Sequence, residues 1–194
     1  MRIADLAARE AFSVDGEAVR TKGKVGELLE RALGATGSGA EMDFPDIGVE
    51  MKTVPLEGGK PAESTFVCAL SLMDAERAEW ATSWVRKKLS CVLWVPVHER
   101  ERIGDAVLWS PTREQEDALK DDFDEIVGRI AIGDIEDLSA HVGRHLQLRP
   151  KAATGSVRTA APGRDGELVS TVPRGFYLRA KFVSALLHDV RALP

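Results

Sequence analysis

Two apolar runs, TFVCALSL at 65–72 and LSCVLWVPV at 89–97, set the tightest limit on how this chain folds. Both are rich in Val, Leu, Phe, Cys and Trp and are short for buried helices, so each reads as a central strand covered on both faces. A sheet buried in that way requires helices. Stretch 22–33 supplies one: Val25, Leu28, Leu29, Ala32 and Leu33 share a face at helical spacing, with Thr21 placed to cap it and Gly34 to stop it. A second starts at Ser110-Pro111, with Pro at the first helical position and acids in the early turns, and runs to about Ile130. A short helix over 135–142 and a last one from Gly175 to Ala192, carrying Phe176, Phe182, Leu186 and Leu187, follow. Ala106 to Trp109 and His145 to Leu148 read as further short strands, and 152–166, rich in Ala, Gly, Thr and Arg, as a long loop. The expected class is a mixed α/β fold.

With 194 residues, 44% hydrophobic and 29% charged, the chain is sized for one domain and its composition is far from that of disorder. No apolar run approaches the roughly eighteen residues of a membrane span, which excludes a membrane role of that kind. Arg2 and Asp5 fall where a signal peptide needs an apolar run, so a cytoplasmic location is expected. Cys68 and Cys91 each sit inside a strand-like run and read as core thiols, supporting neither a disulfide framework nor a cysteine zinc site.

The net charge of −5 hides an uneven distribution. Residues 1–140 hold 17 basic against 28 acidic side chains, whereas 141–194 hold 9 against 3. Ten of the acids lie in 113–137. A basic C-terminal third is compatible with a polyanionic partner even though the pI is low.

The strongest chemical signal is DFPDIGVEMKT at 43–53. Ile47, Val49 and Met51 alternate with Gly48, Glu50 and Lys52, a period of two that predicts a strand. Residues two apart share a face, so Glu50 and Lys52 stand side by side, and Asp43 or Asp46 just upstream offers a second carboxylate. Two carboxylates suit Mg²⁺, with water and substrate phosphate completing its shell, and an adjacent lysine stabilises developing negative charge. Taken alone, Glu-x-Lys is more often an exposed ion pair on a strand. Two other patterns fall away. The glycine-rich 34–39 lacks the Gly-Lys-Ser/Thr of a phosphate loop and follows a helix, and His141 with His145 lacks a paired Glu and is interrupted by Gly143.

Seven ordered blocks supply context: KGKVGELLERALGAT at 22–36, AEMDFPDIGVEMKTVP at 40–55, TFVCAL at 65–70, VRKKLSCVLWVPV at 85–97, LWSP at 108–111, LQLRPKAA at 146–153 and PRGFYLRAKFVSALL at 173–187. Over 22–187 the chain thereby resembles the MutH family of mismatch-repair endonucleases. The resemblance implies a restriction-endonuclease-like fold, a mixed β-sheet flanked by helices, as one domain over 1–194. The turn between Glu30 and Asp43 is one residue shorter than the family's usual form, and the loop at 98–104 is also shortened.

By that resemblance Asp43, Glu50 and Lys52 match the catalytic Asp, Glu and Lys, and Glu30 matches a further acid on the preceding helix. Asp43, Glu50 and Glu30 are the implied Mg²⁺ ligands. Lys88 matches a lysine that supports the scissile phosphate or the catalytic conformation. Lys22 and Gly23 match a segment along the DNA backbone, and Glu63 and Phe66 match positions near bound DNA. Arg149, Pro150 and Lys151 match the base-reading loop, and Tyr177 the aromatic residue that senses methylation of the target adenine. The implied activity is Mg²⁺-dependent nicking of the unmethylated strand at GATC by a monomer, activated by MutL with MutS upstream. The alternatives are a dimerising restriction enzyme that cuts both strands at GATC and a catalytically silent GATC-binding module.

Overall fold

A computed structural model describes residues 1–12, 22–37, 41–135, 138, 142–151 and 156–191. The expected Thr21 cap and His141 lie outside the described residues, as does most of the helix expected over 135–142. The chain divides into two compact units, one formed by Met1–Glu63, Ser90–Ser110 and Val183–Pro194, the other by Ser64–Leu89 and Pro111–Phe182.

The first unit is built on strands β1 (Glu50–Glu57), β2 (Lys60–Pro61), β4 (Val92–His98), β5 (Arg102–Ile103) and β6 (Val107–Trp109). β1 and β4 run parallel with Glu50 opposite Val92 and Lys52 opposite Trp94, while β2, β5 and β6 pair antiparallel. The run expected at 89–97 is therefore the central β4, shifted to Val92–His98. Helices α1 (Ile3–Arg9) and α2 (Lys22–Leu33) cover the sheet. Ile3, Leu6, Ala7, Val25, Leu28 and Leu29 pack against Met51, Val95 and Val97, removing apolar surface from water on both sides of the contact. The helical spacing read in 22–33 is realised in α2, and Gly34, at φ +72°, ends it. α1 was not foreseen.

The expected strand through Ile47 begins three residues later. Ile47 is exposed in a turn, because Phe44 and Val49 pair their backbones and Gly48 takes φ +65°, reversing the chain at 45–48.

The second unit contains an antiparallel sheet in the order β3 (Thr65–Leu70), β10 (Arg174–Leu178), β7 (Leu146–Pro150), together with a hairpin of β8 (Thr159–Pro162) and β9 (Leu168–Thr171). Its helices are α3 (Trp84–Leu89) and α4 (Arg113–Ala131), and α5 (Ala180–Arg191) begins in this unit. Three expectations are corrected. The run at 65–72 is an edge strand with one open face, as the half-buried Phe66 and exposed Ala69 show. RGFYL at 174–178 is a strand and not the start of the last helix, since both its edges are paired and its aromatic residues favour a pleated surface. Thr159–Pro162 is a strand and not loop, paired residue for residue with β9.

α4 begins after Thr112, which caps it in a reciprocal box with Gln115, so Pro111 precedes the cap instead of opening the helix. Leu119, Phe123, Ile126 and Ile130 form its buried face. Cys68 is a buried free thiol and Cys91 a half-buried one. Among the described residues no helix is long and apolar enough to cross a membrane.

Candidate active site and nucleic-acid interface

The acid residues of the first unit converge because a turn folds 43–49 back on the start of β1. The Met51 amide donates to Oδ2 of Asp43 at 2.7 Å, so the turn carboxylate is locked against the strand. Asp46 stays exposed at the turn. The backbone carbonyl of Asp43 accepts from the amides of Thr36 and Gly37 at 3.1 and 3.0 Å, which ties the segment following α2 to the same residue. Gly37 is required there, because a Cβ would lie 1.7 Å from the Met42 carbonyl oxygen. The glycine-rich stretch that fails as a phosphate loop thus docks Asp43. No local sequence signal marked Gly37 for that role.

Glu50 and Lys52 lie on one face of β1, as the period of two required, and Lys52 Nζ donates to Glu50 Oε1 at 2.5 Å. This is no surface pair. Glu50 is only 3% exposed and the Lys52 side chain 13%, so each charge needs the other in a poorly hydrated setting. Glu30, half-buried on α2, has its carboxyl pKa raised above the ordinary value, first by burial and then by the negative charges of Asp43 and Glu50, with Lys52 opposing. The three carboxylates therefore act on one another electrostatically.

Such an acid cluster suits a divalent cation. Asp43, Glu50 and Glu30 present only hard oxygen donors, which match Mg²⁺ and disfavour soft metals. No group of three or more His, Cys, Asp or Glu side chains among the described residues is gathered tightly enough to cage an ion. Mg²⁺ is usually held by one or two carboxylates with water and substrate phosphate filling the rest.

In the second unit a different set of candidates meets on the open face of the three-stranded sheet. Tyr177 stands opposite Phe66 on one side and Gln147 on the other, and Arg149 stands opposite Gly175. The rings of Phe66 and Tyr177 meet edge to face, centroids 5.2 Å apart. Lys151 Nζ lies 4.4 Å over the Phe66 ring and the Arg149 guanidinium 5.8 Å over Tyr177. The exposed cations are thus backed by aromatic faces. Gln147, 4% exposed, donates through Nε2 to Ser64 Oγ at 2.6 Å, and Arg149 Nη1 reaches the same oxygen at 3.3 Å.

Two residues hold this face in shape. Asp122 of α4 accepts from the amides of Arg144, His145 and Leu146 at 2.6, 2.6 and 2.8 Å, fixing the entry into β7. Gly175 leaves room for a ring, since a Cβ there would lie 2.8 Å from both Phe66 Cε2 and the Cys68 carbonyl oxygen. No local signal marks Ser64, Gly175 or Asp122, one of ten acids in 113–137, for these roles. A cue existed for Gln147, two residues before Arg149 and so on the same strand face.

Lys22, Gly23, Glu63, Pro150 and Lys88 complete the candidates. Lys22 and Gly23 open α2, with Gly23 exposed. Glu63 is exposed between β2 and β3, and Pro150 is exposed at the end of β7. Lys88 is buried in the last turn of α3 in the second unit. His145 packs against Phe182, centroids 4.8 Å apart, and burial lowers its pKa, as suits a core histidine.

A mixed sheet flanked by helices, with carboxylates and a lysine gathered at the start of one strand, defines an α/β enzyme of restriction-endonuclease-like fold. The family model described as DNA mismatch repair enzyme MutH matches residues 33–122. The chain is 45% identical to the DNA mismatch repair protein MutH of Serratia proteamaculans (strain 568), over 95% of this chain and 85% of that protein. It is 47% identical to that of Haemophilus influenzae (strain 86-028NP), over 90% and 83%. Against that of Escherichia coli O6:K15:H31 it is 43% identical, over 95% and 85%. The chain belongs to the MutH family of DNA mismatch repair enzymes.

Proposed function

We propose that this chain works as one endonuclease domain that, with Mg²⁺, nicks the unmethylated strand of duplex DNA at GATC sites in mismatch repair. The observation that carries the reading is the cluster of Asp43, Glu50 and Lys52, in which one carboxylate is clamped by a backbone amide and the other by the lysine. Asp43 and Glu50, with Glu30 beside them, would hold Mg²⁺, which supplies positive charge for the phosphate and acidifies bound water.

Each protein group then has a task. Asp43, fixed by the Met51 amide, presents its carboxylate without a conformational search. Glu50 holds Lys52 in place, and the ammonium orients attacking water or stabilises charge on the phosphate oxygens. Water attacks phosphorus in line and the bond to the 3′ oxygen breaks, leaving a 5′-phosphate and a 3′-hydroxyl. Lys88 supports this conformation, and Lys22 and Gly23 at the start of α2 meet the DNA backbone.

Arg149 and Lys151 suit guanine, whose O6 and N7 accept hydrogen bonds in the major groove. Tyr177 meets the adenine and excludes its methyl group, with Glu63, Phe66 and Pro150 near the duplex. One acid set serves one strand, which supports nicking by a monomer. MutL, acting after MutS, is the proposed activator, and the cytoplasm the proposed location.

The test is cleavage of supercoiled plasmid carrying GATC in unmethylated, hemimethylated and fully methylated forms, with Mg²⁺ or EDTA, by the wild-type protein and Asp43→Ala. Open circles that need Mg²⁺, are absent from fully methylated plasmid and disappear in the variant are expected. Linear product would replace the reading with a two-strand restriction enzyme. Binding without cleavage, even with MutL, would replace it with a silent binding module.

A further inference from the structure

The hydroxyl of Ser64 receives two donors at once. Gln147, buried beneath the sheet's open face, donates at 2.6 Å, and the exposed Arg149 donates at 3.3 Å. A serine oxygen has two lone pairs, so both are engaged here and the hydroxyl's own proton is left as its remaining capacity. The two donors differ in freedom. Gln147 is pinned because β7 pairs with β10 and its amide lies in a site almost closed to water, whereas Arg149 has a long side chain whose free rotamers number many. Ser64 transmits the rigid member's position to the mobile one. The Tyr177 ring beneath the guanidinium restrains the same side chain from a second direction.

We infer that Ser64, seated on Gln147, is a positioning residue for Arg149 that sets how sharply the enzyme discriminates its DNA sequence. The inference rests on the proposed reading of Arg149 as a base-reading group. A guanidinium that reads a base edge must arrive in one plane, because two parallel donors have to meet two acceptors together. Preorganising that plane removes an ordering cost at the moment of binding, and it does so only for the duplex that offers the matching acceptors. Phosphate contacts, which tolerate many orientations, gain little from it.

The experiment is a double-mutant cycle on the full-length protein. It uses wild type, Ser64→Ala, Arg149→Ala and the double variant, and measures kcat/KM on a duplex with one GATC and on duplexes with one base pair of that site changed. Ser64→Ala is expected to lower the ratio of cognate to altered-site kcat/KM by roughly tenfold. The same change should have almost no effect on that ratio in the Arg149→Ala background, while Ser64→Thr, which keeps the hydroxyl, should restore most of it. A loss of the same size in both backgrounds, or Ser64→Thr behaving like Ser64→Ala, would overturn the inference, since a packing defect does not depend on Arg149. A wild-type protein that cuts or binds with no preference for GATC would instead overturn the functional reading on which it rests.

Discussion

The amide of Met51 donates to Oδ2 of Asp43 at 2.7 Å, joining a residue before the turn to one inside β1. This bond sets the position of a carboxylate by backbone geometry, so charge and placement are separable by mutation. Asp43→Asn keeps an oxygen for the Met51 amide and loses the negative charge. Its melting temperature should remain close to wild type, whereas plasmid nicking should fall about a hundredfold or more. Asp43→Ala should lose activity and also stability, by about 1–3 kcal/mol in urea unfolding, because it leaves the amide unpaired.

Glu30 makes a pH prediction with a definite sign. Its pKa is raised in the folded state by burial and by Asp43 and Glu50, so its charged form opposes folding. Stability attributable to Glu30 is fully present below the unfolded value, 4.5, and is lost as pH rises through the higher folded pKa. In EDTA, Glu30→Gln should therefore melt above wild type at pH 7, and the difference should close as pH drops below 4.5. A gap that stays constant over that range would refute the electrostatic origin. Adding Mg²⁺ at pH 7 should raise the wild-type melting temperature more than that of the variant.

Asp122 ought to be among the costliest surface-run acids to remove. It serves three consecutive backbone amides at the start of β7. Asp122→Ala should destabilise the protein by about 3 kcal/mol in urea unfolding. Neutralising Asp121 or Asp124, which are exposed on the same helix, should change stability by less than about 0.5 kcal/mol.

Gly175→Ala tests the seat of the Phe66 ring. The new methyl would lie 2.8 Å from both the ring and the Cys68 carbonyl, and the carbonyl belongs to a paired strand that yields little. We expect a loss of about 1–3 kcal/mol from overpacking. In the reduced double variant Gly175→Ala with Phe66→Leu, the smaller side chain should recover part of that loss, measured by thermal unfolding.

What the sequence alone determined was governed by local periodicity. The helical spacing of 22–33 and the buried apolar run that became β4 were legible, because side-chain repeat and burial are properties of neighbours along the chain. The pairing of Glu50 with Lys52 was legible for the same reason, and the resemblance added the candidate residues that no spacing distinguishes. Tertiary structure decided the rest. RGFYL became β10 only because β3 and β7 flank it, and nothing inside five residues announces partners that lie far away in sequence. Asp122 is one of ten acids in 113–137, and only a turn some twenty residues downstream brings it three amides. Asp43 and Asp46 were equivalent by spacing and were separated by a turn that clamps one against Met51 and leaves the other in solvent. Ser64 gained its two donors from a strand more than eighty residues away. In each case the deciding interaction was a hydrogen bond or strand pairing made where the chain folds back on itself, from eight residues away for Asp43 to more than eighty for Ser64, which side-chain periodicity does not encode.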